Sequence, residues 1–137
     1  MIRKLFSAKA GRQISIFIEN RPGSLAEVID LLGANGINMI ALSLSEGLDL
    51  GYLRIVVDNH EEAKKILHAK GHLVLDRDII LVEVANEPGG LASAIDKLVQ
   101  AQINVEYAYS ANSLKNDHSL IVIRVGDAAK ALKVVEA

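Results

Sequence analysis

One seven-residue stretch occurs twice in this 137-residue chain. Asn20-Arg21-Pro22-Gly23-Ser24-Leu25-Ala26 returns 66 positions later as Asn86-Glu87-Pro88-Gly89-Gly90-Leu91-Ala92, and the two stretches hold both prolines of the chain. At the same ungapped offset, Ile29, Asp30 and Leu32 match Ile95, Asp96 and Leu98, and Ile37-Asn38 matches Ile103-Asn104. Ile55-Val56 then falls on Ile121-Val122, and Ala63-Lys64 on Ala129-Lys130. Identity is roughly a quarter over about 60 positions, which marks a duplication. A duplicated chain of this length is expected to fold as two small modules.

Each module reads as strand, helix, strand, strand, helix. In the first, Ile14, Ile16 and Ile18 alternate with Ser15, Phe17 and Glu19, the period of a half-buried strand. The turn Asn20–Gly23 stops that strand, because proline lacks an amide hydrogen and glycine accepts positive φ. A helix is expected over 24–35, with Leu25, Val28, Ile29 and Leu32 at helical spacing and Gly36 beyond its end. Ser24 and Glu27 form a capping-box pattern at its start. Two apolar runs, 39–44 and 52–57, flank a turn-prone stretch and predict a hairpin. Ala63, Ile66 and Leu67 give a second helix its buried side, and His72-Leu73-Val74-Leu75 reads as a last short strand.

The expected class is α+β: two ferredoxin-like βαββαβ modules, each an antiparallel sheet with its helices on one face. Residues 12–77 form module one and 78–137 module two. The C-terminal residue, Ala137, aligns with Gly71, so nothing in module two corresponds to 72–77. That leaves a vacant sheet edge beside its first strand. Residues 1–11 form an N-terminal segment with Ile2, Leu5 and Phe6 available, a candidate strand for that edge from the same chain or a partner.

On the sheet faces away from the helices, the alternation places Phe17, Tyr52 and Val56, and in module two Leu81, Leu120 and Val122. Such an apolar face is expected to be covered, and a homodimer or higher homo-oligomer is favoured over packing within the chain. A module of about 60 residues buries too little surface to be comfortable alone.

Composition narrows the function. Half the residues are hydrophobic, and 15 basic against 17 acidic residues leave a net charge of −2, without the basic stripe that phosphate neutralisation requires. Cysteine is absent, which excludes disulfides, thiolate metal sites and a cysteine nucleophile. No apolar run reaches the ~18–20 residues of a membrane span, and the basic start Met1–Phe6 is a poor signal peptide. A cytoplasmic protein without nucleic-acid or membrane partners is expected.

Asn20, Pro22, Gly23 and Leu25, with Asn38 opening the next strand, and their counterparts Asn86, Pro88, Gly89, Leu91 and Asn104, resemble the pattern of the ACT domain. That domain is a small-molecule sensing module attached to enzymes of amino-acid metabolism and their regulators. The similarity covers nearly the whole chain, twice, and Ile103-Asn104-Val105-Glu106-Tyr107 is also typical of stand-alone double-ACT proteins. The resemblance implies an amino-acid ligand at an interface between modules, held by one module's glycine loop and a neighbouring module's strand. Its expected residues are Asn20, Arg21, Pro22, Gly23, Ser24, Leu25, Asn38 and Met39, with Asn86, Glu87, Pro88, Gly89, Gly90, Leu91, Asn104 and Val105.

The chemistry of the loop agrees. A helix N-terminus offers unpaired amides and partial positive charge to a carboxylate. Gly23 and Gly89 allow close backbone approach, and Asn38 or Asn104 supplies a donor and an acceptor. The competing account is ordinary Pro-Gly turn chemistry before a helix. The two loops differ: the Ser24 hydroxyl can occupy the first helix's donors and Glu27 adds a competing negative charge, whereas Gly90 and Ser93 leave the donors free. Arg21 suits a carboxylate and Glu87 an ammonium.

Other residues offer less. His68 and His72 are separated by Gly71, which is expected to end the helix and break a two-His metal face. His118 beside Asp117 reads as a surface pair, and neither histidine arrangement forms a base–nucleophile pair with a serine. Asp30 and Asp96 read as solvent-face residues. Tyr107 and Tyr109 share one strand face, with Tyr107 available to line a pocket, and aromatics are too few for a nucleobase-stacking sheet. No catalytic residue, metal or cofactor is therefore assigned. The expected function is a non-catalytic amino-acid-binding regulatory protein. The alternative is a ligand-free dimerisation scaffold or regulatory subunit of an amino-acid-metabolism enzyme.

Overall fold

The structure, a computed structural model, describes residues 5–112 and 117–136. Its elements run β1 (Phe6–Glu19), α1 (Ser24–Ala34), β2 (Met39–Ser45), β3 (Leu50–Val57), α2 (His60–Ala69), β4 (Leu75–Ala85), α3 (Gly90–Gln100), β5 (Val105–Asn112), β6 (His118–Val125) and α4 (Ala128–Glu136). The chain divides into two compact units. One is Arg12–Arg77; the other joins the N-terminal residues up to Gly11 to those from Asp78 onward.

In the unit Arg12–Arg77 the strand order is β2-β3-β1-β4, with β3 antiparallel to both β1 and β2. Ile14 lies opposite Ile55 and Ile16 opposite Leu53, and these four side chains are fully buried. They face Val28 and Leu32 of α1 and Ala63 and Leu67 of α2, which occur at the four-residue spacing of a helix stripe. Ile29, expected in that stripe, is exposed, because the buried row of α1 runs Ser24, Val28, Leu32. Residues 72–74 are not strand: β4 starts at Leu75 and runs on to Ala85. The reading of 72–75 as a short strand is corrected accordingly.

The second unit repeats the plan with the order β1-β4-β6-β5, so the first residues of β1 stand beside β4. The Ala85 amide donates to the Leu5 carbonyl at 2.7 Å, and Phe6 and Ala8 pack against the core made by Ile80, Val82, Ile123, Leu98 and Ala131.

Strand pairing corrects the ungapped repeat. Ile14 pairs with Ile55, but its counterpart Ile80 pairs with Ile123, not Ile121. Met39 likewise pairs with Val57, and Val105 with Val125. From β6 onward the offset is therefore 68, and the β5–β6 hairpin is two residues longer than β2–β3. The buried Ala63 corresponds to Ala131, not Ala129. A shift of two leaves every strand residue on its expected face, since side chains alternate with period two.

The faces away from the helices carry apolar residues, as expected. Val56, Leu81, Leu120 and Val122 lie outside both helix-facing clusters yet are buried within the single chain. Phe17, 49% exposed, is the open one; its ring lies 4.9 Å from that of Tyr52, over which Arg54 stacks at 4.6 Å. No helix among the described residues is long and apolar enough to cross a membrane.

Candidate functional site

The duplicated loops share one backbone design. Gly23 (φ 92°) and Gly89 (φ 88°) are each the N-cap of the following helix, in the left-handed region that glycine enters without penalty. Ser24 donates its amide to Arg21 O and Gly90 to Glu87 O, while Glu27 and Ser93 donate theirs to Gly23 O and Gly89 O. The Asn20 amide is tied to Asp49 O at 2.8 Å and the Asn86 amide to Asp117 O at 2.7 Å. Each loop is thus moored to the hairpin of its own unit, and these moorings carry the same two-residue slip.

The capping box is absent. No side chain caps α1 or α3, so the first-turn amides that these backbone carbonyls do not take are left to other acceptors. Ser24 is the first helical residue rather than the cap, and the Glu27 carboxylate turns outward to Arg21. The physical reason lies at Gly23: its left-handed conformation takes the cap position that Ser24 would need. Ser93 hydrogen-bonds back to Gly89 O at 2.6 Å.

In module one the loop borders a hollow of about 260 Å³. Asn20, Arg21, Ser24 and Leu25 line it from the loop and helix; Leu44, Ser45, Glu46, Gly47 and Gly51 line it from the β2–β3 hairpin, with Ile18 and Glu19 at the strand end. Asn20 is spent on the wall itself, donating Nδ2 to Gly47 O at 2.8 Å and Leu48 O at 3.3 Å. Ser24 is only 5% exposed, and its Oγ is a buried oxygen without a partner among the described residues.

Arg21 is held by carboxylates of its own chain. Its Nε donates to Glu19 at 2.8 Å, Nη2 reaches both Glu27 oxygens at 3.1 and 3.3 Å, and Nη1 donates to Pro22 O. The hydrogen bonds that Arg21 donates to Glu19 and Glu27, reinforced by the charges of those carboxylates, push its pKa above the ordinary value. A second hollow of about 220 Å³ shares Glu19, Arg21 and Ser24 with the first and is lined further by Phe17, Glu27 and His72.

The remaining expected residues separate. Pro22 and Gly23 form the exposed turn. Asn38 and Met39 lie at the opposite end of their unit's sheet, since Met39 pairs with Val57 while Ser45, roughly 20 Å along the strand, pairs with Tyr52. The Asn38 backbone there exchanges hydrogen bonds with Asp58. Asn104 is exposed and Val105 packs against the second core, again at the far end from Asn86, Glu87, Pro88 and Gly89. Leu91 is exposed on α3. Gly90 has a packing reason: a Cβ there would stand 2.1 Å from Ala85 O, so α3 can start against the strand only without a side chain.

Sequence reading missed the hairpin side of the module-one hollow. One signal existed: Gly47 and Gly51 bracket the hairpin, and a Cβ on Gly47 would lie 1.8 Å from Leu50 O. Part of the corresponding hairpin of module two, 113–116, lies outside the described residues. Among the described residues no group of three or more His, Asp or Glu is arranged to hold a metal ion.

A family model described as an ACT domain pair matches residues 10–136. The chain belongs to the ACT domain pair family. This ACT domain pair is similar to a Bacteroides thetaiotaomicron protein of known crystal structure, with 33% identity over 94% of this chain and 88% of that one and a TM-score of 0.85. Its fold is also that of the regulatory subunit of aspartate kinase from Thermus thermophilus, ligand-free form (19% identity, 97% of both chains, TM-score 0.69). The Thermus flavus subunit is similar too (20% identity, 96% of this chain and 94% of that one, TM-score 0.63). A search of curated proteins finds no match.

Proposed function

We propose that this ACT domain pair is a non-catalytic cytoplasmic regulatory protein that binds an amino acid at the module-one loop. The observation that carries the reading is the uncapped start of α1, with the buried, unpartnered Ser24 Oγ, beside a hollow of about 260 Å³. The first-turn amides suit a carboxylate. The volume sits below the ~300–1,000 Å³ of sites for drug-sized ligands, as a small metabolite requires. Two of the similar folds are regulatory subunits of aspartate kinase, which supports an enzyme of amino-acid metabolism as the partner.

Ligand changes the partner only by its differential affinity for two arrangements of the protein. A copy of this chain supplying its own Asn38 or Asn104 end to the loop would complete the site as a homodimer. The ligand-free scaffold reading draws on one observation, the open Phe17–Tyr52 pair.

Thermal shift against the twenty amino acids separates the two readings, because a ligand of the native state must raise the melting temperature. The sensor reading expects at least one amino acid to stabilise wild type and Gly23→Val to abolish that response. If none of the twenty stabilises the protein, the sensor reading is lost. If Gly23→Val and Gly89→Val both bind undiminished, the loops are not the site.

A further inference from the structure

The β2–β3 hairpin of the unit Arg12–Arg77 ends in a small charged knob. Leu48, at its tip, is 98% exposed and stands between Glu46 and Asp49, whose carboxylates enter no ion pair among the described residues. The tip is held firmly. Asn20 donates Nδ2 to Gly47 O and Leu48 O and its amide to Asp49 O, and Gly47 turns so tightly that a Cβ would meet Leu50 O. An apolar side chain presented on a fixed turn loses little further freedom when it docks.

The same unit carries a surface of opposite charge. A groove of about 370 Å³ lies between α2 and the residues Leu73 and Val74, which lead into β4. Glu61, Lys64, Lys65 and His68 line its helix side. Glu61 is held by Arg12 and Lys64 by Asp76, whereas Lys65 is an exposed cation that enters no ion pair among the described residues, and His68 is exposed one turn further on. Leu73 is 73% exposed, so the opposite wall shows apolar surface to water. The knob does not fill the groove of its own chain. Asn20 pins it to the end of the β2–β3 hairpin, and β2 and β4 stand three strand spacings, ~14 Å, apart.

We propose that the Leu48 tip of one copy docks in the α2 groove of a second copy of this chain. Leu48 lies against Leu73 and Val74, while Glu46 and Asp49 meet Lys65 and His68. Tip and groove are different patches, so the contact is heterologous: each copy offers one of both, and copies join head to tail unless a symmetry axis closes the pair. The contact requires no ligand. One knob and its rim bury less than the ~1,000 Å² of a stable interface, so the association is weak, with a dissociation constant of ~0.1–1 mM.

The test is sedimentation equilibrium of the full chain between ~0.02 and ~2 mM, a range that brackets this affinity. It compares wild type, Leu48→Ser, Lys65→Glu and an equimolar mixture of the two variants, at low and at raised salt. Both substitutions sit at exposed positions, and circular dichroism verifies that each variant folds as wild type does. The expected result is a wild-type mass that rises with concentration. Leu48→Ser weakens that association about tenfold or more, by removing the buried leucine. Lys65→Glu weakens it about fivefold or more at low salt, and raised salt weakens wild type in the same direction. The mixture associates where neither variant does alone, because Lys65→Glu keeps an intact tip and Leu48→Ser an intact groove. A wild-type mass independent of concentration overturns the proposal, as does either variant associating as wild type does. A mixture that associates no more than its components shows that the tip does not enter the groove, and overturns it equally.

Discussion

Gly23 holds a φ of 92° with only the Arg21 guanidinium, 3.9 Å away, near where a Cβ would stand; Gly90, one place further along the equivalent loop, is barred by a carbonyl at 2.1 Å. The first constraint is torsional and the second steric, so different substitutions relieve them. Gly23→Ala is expected to cost about 1–2 kcal/mol, and Gly23→Asn less, because asparagine tolerates the left-handed region. Gly90→Ala is expected to cost about 1–3 kcal/mol by forcing α3 off the end of β4, and asparagine there brings no relief. Urea denaturation of the four variants checks both statements. An equal response of the two sites to alanine and asparagine would falsify the distinction.

Asp76 carries a second prediction at this scale. Partial burial raises its pKa, but hydrogen bonds from Lys64 and His60, with the charges of His60 and Arg12, outweigh that and hold it below the ordinary carboxylate value. A carboxyl with a lower pKa folded than unfolded stabilises the fold above its unfolded pKa of about 3.9. That contribution is lost as pH falls through the folded value. Asp76→Asn should therefore lower the urea midpoint at pH 7 and flatten the decline of stability below about pH 4. Midpoints measured between pH 2.5 and 7 read this directly, and parallel profiles for wild type and variant would count against it.

At the scale of elements, what was legible in the sequence was whatever short-range pattern encodes. The Ile14, Ile16, Ile18 alternation and the Ala63, Leu67 spacing name buried faces correctly because a strand repeats every two residues and a helix every 3.6. The capping box was misread because Ser24 and Glu27 have the right spacing, while the left-handed Gly23 preceding them takes the cap itself. The slip of two in the repeat was hidden by chance identities in apolar runs, where isoleucine, valine and alanine recur.

Caps reveal that slip. Asn59 Oδ1 accepts from the Glu62 amide at 3.3 Å, and Asp127 Oδ1 accepts from the Lys130 amide at 3.0 Å, 68 positions on. These two residues are therefore counterparts although their identities differ. Asn59→Ala and Asp127→Ala should each cost about 1 kcal/mol, whereas alanine at Asp58, whose side chain accepts from Asn38 N, removes no cap. Melting temperatures of the three variants test the assignment.

For the whole molecule, the informative fact is that sequence order and unit membership disagree: residues up to Gly11 belong with those from Asp78 onward. Residues 78–136 supply three strands, and the edge of β4 that would stand bare receives Leu5 and the start of β1 instead. An unpaired edge costs its donors and acceptors and invites association with other chains. Phe6 and Ala8 add apolar surface to a core too small to lose it cheaply. Deleting residues 1–11 should therefore unfold or loosen 78–136 while Arg12–Arg77, whose helix-facing core is its own, stays ordered.

Hydrogen exchange resolves the two outcomes in one experiment. Amides of β4, β6 and β5 should lose protection in the truncated chain, and those of β3 should keep it. A synthetic peptide of residues 1–11 added in excess should restore protection by adding a strand at the edge. The same peptide with Phe6 replaced by aspartate should fail to do so, since it would bury a charge against the second core. Uniform loss of protection across both units, or none in either, would show that the N-terminal strand does not belong to the second unit's fold alone. The position of Gly11 sharpens the case: a Cβ there would come within 2.9 Å of the Ile79 and Leu81 side chains. Gly11→Val should therefore disturb the second unit by overpacking and leave protection at Leu53 and Ile55 unchanged.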